Sequence, residues 1–204
     1  FNLRTDVPWV SHNGTEVVEV LDDEGNVRMV NANDFEYGIK RMLDPATASD
    51  YAYVSVFAIA GSAAFNEGEA ETADDVKVSA LDDYTLEITM NDQAQYNLAI
   101  AGMWIHAATP QWLIEERGER SWETGFHQSY GPFVMKEWVH DSYINIIKNP
   151  FWVGTDSIPS PKIDEVNFLM LDAIPAFAEY EAGNLDAAGV PSQDIDRVKA
   201  DPVL

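Results

Sequence analysis

Trp104, His106, Trp112, Trp122 and His127 are the side chains whose types could do chemistry at close quarters, as an aromatic cage or as part of a metal site. The spacing argues against both. The four histidines, His12, His106, His127 and His140, show no i, i+4 pair and no His-x-Glu arrangement, so a zinc centre is not expected. Trp104 and Trp112 are read as packing residues. There is no cysteine, hence no thiol nucleophile, no disulfide framework and no Cys-based zinc site. The acidic run Asp22-Asp23-Glu24-Gly25-Asn26 invites a calcium reading, but Val27, Met29 and Val30 follow where an EF-hand needs oxygen ligands. It reads as a hairpin turn. The 35 acidic residues also raise the possibility of a glycoside-type hydrolase, which needs two carboxyls at a defined separation, one with a raised pKa. Nothing singles out such a pair, and there is no Gly-x-Ser-x-Gly elbow, phosphate loop or dinucleotide fingerprint. No catalytic residue, metal ligand or cofactor is assigned.

The elements that must position these side chains belong to a globular chain. Its 204 residues are 46% hydrophobic and 11% aromatic, enough for one large core or two small ones. The formal net charge of −23 repels phosphate backbones and anionic membranes, so nucleic acid is not an expected partner. An acidic solvated face accounts for this charge, as does a high-salt or cell-surface setting. No apolar run approaches the roughly 18 residues of a membrane helix. The opening Phe1-Asn2-Leu3-Arg4 lacks a signal pattern, and with the ending at Asp201-Pro202-Val203-Leu204 it reads as part of a longer chain, any membrane anchor lying outside it.

Phe1 to Val10 is expected to be a strand leading to Trp9, and Glu16–Val20 and Val27–Val30 to flank the acidic turn. Asn31 stands at a helix N-cap with Asp34 three residues on; Phe35, Ile39, Met42 and Leu43 recur at helical spacing, and Pro45 ends the helix. Val76–Val78 and Leu86–Met90 read as a hairpin across Asp82-Asp83, and Pro110 to Gly118 as a short helix. Phe133–Trp138 and Tyr143–Lys148 form a strand pair, followed by a strand over Val166–Leu171. Pro175 opens a helix carrying Phe177, Tyr180 and Glu181 and stopped at Gly183, and Ser192 caps a last helix. Strands and helices without strict alternation give a mixed α+β or mixed-sheet α/β class.

Val30 to Ala52 resembles the "V-T-A-x-D-F-x-Y-S-x-x-R-x-x-D-P-x-T-A-S-P-Y-A" segment of the oligopeptide and dipeptide substrate-binding proteins of ABC importers. Other stretches are similar to the same family in order and spacing. Phe1-Asn2-Leu3-Arg4 with Trp9 resembles "F-H-L-R-x-x-x-x-W", and Ala80 to Thr89 resembles "A-L-D-D-Y-T-L-E-V-T". Tyr130 to Trp138 resembles "N-G-P-Y-x-L-K-E-W", Lys148 to Trp152 resembles "K-N-P-x-Y-W", and Tyr180 to Ala187 resembles "Y-x-A-G-E-I-D-A". Singly each is weak; together they cover nearly the whole chain.

The resemblance implies a type II periplasmic-binding-protein-like fold, with two lobes closing on a solute and an extra small domain on the first. Residues 1–129 would be that extra domain and 130–204 part of lobe one. The start of lobe one, the second lobe and the returning C-terminal segment have no counterpart here. The acidic residue that holds a peptide's amino group would lie in that second lobe. The implied function is extracytoplasmic, periplasmic or cell-surface, capture of short peptides or a related small solute for an ABC permease, without catalysis; a non-binding scaffold domain of a larger protein is the alternative. Tyr51 stands where peptide-binding relatives place a tyrosine against the ligand, and is otherwise a hydrophobic anchor with Tyr53 and Phe57. Tyr130 and Gly131 stand where the extra domain rejoins lobe one, as ligand-proximal or hinge residues, or as an ordinary turn. The chain departs from the family at Asp50, where Pro is usual, at Tyr130, where Asn or Thr is usual, and in a longer hairpin around Gly25.

Overall fold

The computed structural model describes residues 1–201. Of the expected ending, Pro202, Val203 and Leu204 lie outside the described residues. The elements in chain order are β1 (Val10–His12), β2 (Val17–Glu19), α1 (Ala32–Leu43), α2 (Ala52–Ala58) and α3 (Ser62–Asn66). Then come β3 (Val78–Asp82), β4 (Thr85–Ile88), α4 (Asn97–Ala101), α5 (Gln111–Arg117) and β5 (Gln128–Ser129). The last are β6 (Phe133–Val139), β7 (Tyr143–Lys148), β8 (Glu165–Leu169), α6 (Ala173–Glu181) and α7 (Ile195–Ala200).

Among the described residues three antiparallel sheets form, in the orders β2-β1-β5, β3-β4 and β6-β7-β8. α1 follows its sequence signals closely. The Asn31 side chain accepts from the Asn33 amide and Asp34 answers the Asn31 N–H, a capping box that satisfies donors the helix leaves free. Ile39 and Leu43 then face the β3-β4 hairpin, where they bury Ile59, Val76, Val78 and Leu86. This apolar face against a two-stranded sheet holds a helix of only 12 residues, too short to persist alone. A second cluster joins Trp9, Val30 and Ala108 with Tyr130, Phe35 and Trp112, and a third joins Val10 and Val17 to Val134 of β6.

Several expectations need correction. Phe1 to Val10 is not a strand: Asn2 and Pro8 make single bridges to Thr85 and Met29, and regular pairing begins at Val10. Pro8 has no N–H to give a ladder, and the Arg4 side chain turns to Asp6 and to the Gly154 carbonyl. Val27–Val30 likewise makes only isolated bridges, because Arg28 bonds Val20 through its N–H and Trp9 through its carbonyl, while Val30 bonds Val7. The acidic turn itself forms, closed by the Asp22 carboxylate accepting from the Glu24 and Asn26 amides. Ser192 heads a 3-10 turn over Ser192–Asp194, and its side chain caps nothing. Helices α2, α3 and α4 carried no period long enough to be read.

The loop at Ala107–Thr109 lies so close to α1 that a Cβ on Gly38 would stand 2.7 Å from both the Ala107 carbonyl oxygen and Thr109 Oγ1. Gly38→Ala is therefore expected to destabilise the protein by on the order of 1 kcal/mol, the steric cost outweighing the helix-propensity gain. The midpoint of urea unfolding measures it, and an unchanged or raised midpoint would show that the loop gives way freely.

Candidate functional site

Asp34 is 4% exposed, and its Oδ2 accepts from the Trp9 indole N–H at 2.9 Å and from the Asn31 amide at 3.0 Å. The Thr109 amide bonds the Asp34 carbonyl oxygen at 3.0 Å. Burial pushes the Asp34 carboxyl above the usual range, opposed by the bonds from Trp9 and Asn31 and by Arg28. With Trp9 fixed in this way, Tyr130 packs edge-on against its ring at a centroid distance of 4.9 Å, and Trp112 does the same at 5.7 Å. The Tyr130 hydroxyl oxygen accepts from the Ala108 amide at 3.0 Å, and desolvation raises its pKa.

Beside this cluster lies a cleft of about 540 Å³, a size suited to a small ligand. Trp9, Trp122 and Tyr130 are its aromatic lining, and Arg41, Ser121, His127 and Gly131 also border it. α1 supplies Arg41, the approach to β1 supplies Trp9, and the segment between α5 and β6 supplies Ser121, Trp122, His127, Tyr130 and Gly131. Gly131 donates no conformational necessity here: an added Cβ would meet nothing within 4 Å, and its carbonyl accepts from Asn149 Nδ2 at 2.8 Å.

Tyr51 is elsewhere. It precedes α2, is 45% exposed, and meets Trp104 edge-on at 4.9 Å and Tyr53 in a stacked pair at 6.4 Å. The structure thus brings Tyr130 and Gly131 to one cleft and sets Tyr51 in a separate exposed aromatic patch. Trp104, expected to be packing, is 68% exposed in that patch, a correction that goes with the short 3-10 turn Trp104–His106, which buries His106 at its end and leaves Trp104 outward at its start. Trp112 does pack, with Arg28 over its ring and its indole N–H donating to Gln128 Oε1. Arg41 coincides with the Arg of the family segment that Val30 to Ala52 resembles, a signal not used to select it, whereas Ser121 had none, because a serine in a loop is commonplace. Among the described residues no three His, Asp or Glu side chains converge as metal ligands.

His106 is buried with Nδ1–H donating to the Ile100 carbonyl at 2.9 Å and Nε2 accepting from the Ser55 hydroxyl at 2.5 Å. That fixes a neutral tautomer. Burial lowers the pKa of both His106 and His127 below the ordinary imidazole value. The unfolded chain then binds these protons first, so the stability tied to neutrality is complete above about pH 6.5 and is lost as pH falls from there toward the folded values. Melting temperature is expected to fall between about pH 7.5 and 5.5, and His127→Gln is expected to shrink that fall. A melt equally pH-dependent in His127→Gln and His106→Gln would remove the histidines as its source. Tyr130→Phe strands the buried Ala108 amide, with an expected loss of about 1–3 kcal/mol in chemical unfolding.

A family profile, Bacterial extracellular solute-binding proteins, family 5 Middle, matches residues 1–204. The Bacillus subtilis (strain 168) protein named dipeptide-binding protein DppE is 33% identical over 170 residues, which are 83% of this chain and 30% of that protein. The oligopeptide-binding protein OppA of the same organism is 33% identical over 165 residues, 79% of this chain and 29% of that protein. The solved substrate-binding domain of an oligopeptide ABC transporter from Bacillus anthracis str. Ames superimposes with a TM-score of 0.78 at 25% identity, covering 99% of this chain and 36% of that one. The chain therefore spans about a third of the length of these relatives and shares their mixed α/β, periplasmic-binding-protein-like architecture. A match running from the first residue to the last places the chain in family 5 of the bacterial extracellular solute-binding proteins.

Proposed function

We propose that this chain is part of an extracytoplasmic solute-binding protein that captures short peptides and hands them to an ABC permease without altering them chemically. The observation that carries the reading is the end-to-end family match, joined to relatives named for dipeptide and oligopeptide binding. In this reading residues 1–129 are the extra small domain of the first lobe and residues 130–204 a part of lobe one, with the second lobe supplied from outside these residues. Peptide main chain is held by backbone groups and by aromatic faces that accept varied side chains. Tyr51 offers such a face: exposed, stacked on Tyr53 and braced by Trp104, it can lie against a peptide while keeping its hydroxyl free. Tyr130 and Gly131 contribute as lining of the cleft beside Trp9. Lobe closure over the ligand is the driving event.

Native mass spectrometry of the protein purified without refolding is expected to show a ladder of added masses fitting short peptides. Tyr51→Ala is expected to weaken peptide binding by about tenfold, the loss of one aromatic contact, with its melting temperature unchanged because the side chain is exposed. A single non-peptide mass, or no thermal shift with peptide pools, would replace the peptide reading with another solute.

A further inference from the structure

The cleft beside Trp9 has three properties that are unusual together in this molecule. First, none of its lining residues is Asp or Glu, in a chain that carries 35 of them and a net charge of −23. Second, Arg41 borders it and forms no ion pair with a carboxylate among the described residues, its guanidinium interacting with the Tyr37 phenol. Third, two buried polar atoms of its lining, Ser121 Oγ and His127 Nδ1, have no hydrogen-bond partner among the protein's groups, although Ser121 is only 3% exposed. A buried hydroxyl and a buried imidazole nitrogen each cost free energy when left unpaired, so each calls for a polar partner, whether ordered water or a bound group.

The chemistry of the set selects the occupant. A guanidinium with no carboxylate partner, a hydroxyl free to donate, and a neutral imidazole whose Nδ1 can carry the proton are together a donor set for an anion with planar oxygens. The remaining walls, Trp9, Trp122, Tyr130 and Leu113, are aromatic or apolar and suit a hydrocarbon body. A cation would meet Arg41 with no acid to offset it. We propose that this cleft binds the carboxylate of a small molecule or chain end bearing an apolar or aromatic group, with Arg41 as charge partner and Ser121 and His127 as neutral donors. The residues named for the site all belong to this chain, and the proposal does not depend on the peptide reading, although a peptide's C-terminal carboxylate is one source of the same chemistry.

Titration calorimetry with 3-phenylpropionate and its primary amide tests the proposal, with C-terminally free and amidated Ala-Ala-Phe as the peptide arm. Saturable binding of the acid at least tenfold tighter than the amide is expected, with Arg41→Gln abolishing that preference and Ser121→Ala weakening the acid several-fold. Circular dichroism and melting curves establish that each variant is folded, and if Arg41→Gln is not, Arg41→Lys retains the charge and is expected to lose only part of the preference. Binding of free but not amidated tripeptide, with no binding of 3-phenylpropionate, would assign the carboxylate to a peptide end. Binding of 3-phenylpropionate by a protein that ignores every peptide would keep this site and remove peptide capture. Equal affinity for acid and amide, or no binding of any probe, overturns the proposal.

Discussion

The structure depends on one buried carboxylate. Asp34 stands in the first turn of α1, and its side chain accepts from the Trp9 indole and the Asn31 amide while its carbonyl holds the Thr109 amide. Three segments distant in sequence are tied to one residue: the approach to β1, the start of α1 and the loop before α5. Burying a carboxylate is costly, and its hydrogen bonds, the charge of Arg28 and the positive end of the helix offset that cost. The carboxylate therefore specifies geometry: any other arrangement of these segments leaves it unpaired.

The consequences radiate outward from Trp9. Its fixed indole gives Tyr130 and Trp112 a surface to meet edge-on, and Tyr130 in turn ties down Ala108 through its hydroxyl. The same loop lies against Gly38, where the absence of a side chain lets the backbone approach. The walls of the neighbouring cleft are thus the outer faces of a rigid cluster, which is what a binding site needs if its shape is to exist before a ligand arrives. Tyr51 has a different setting, just before a short helix with its aromatic neighbours exposed, and is suited to contact with something that comes to the surface.

Charge is distributed unevenly in the same way. The acids lie mainly on exposed positions, where they are solvated and screened, while the cleft lining excludes them. Such a field keeps the protein soluble and leaves Arg41 as the local exception.

Local rules made much of the fold legible. α1 was readable to the residue at its N-cap because Asn31, Asp34 and the apolar period all point the same way, and β6 and β7 were readable because alternation and a turn coincide. Where cues were short or divided, as in α2, α4 and the segments around Pro8 and Val27, pairing was settled by partners far away in the chain. The same division holds for function. The sequence by itself determined the class of protein, since family motifs in register survive as linear text, and it supplied Tyr51, Tyr130 and Gly131 as residues of interest. Only the tertiary structure decided that Tyr130 and Gly131 share a cleft with Arg41, Ser121 and His127 while Tyr51 does not. Burial, an unpartnered hydroxyl and the exclusion of acids from a cavity are properties of atoms brought together across 90 residues of chain, from Arg41 to Gly131, and no spacing within one segment records them.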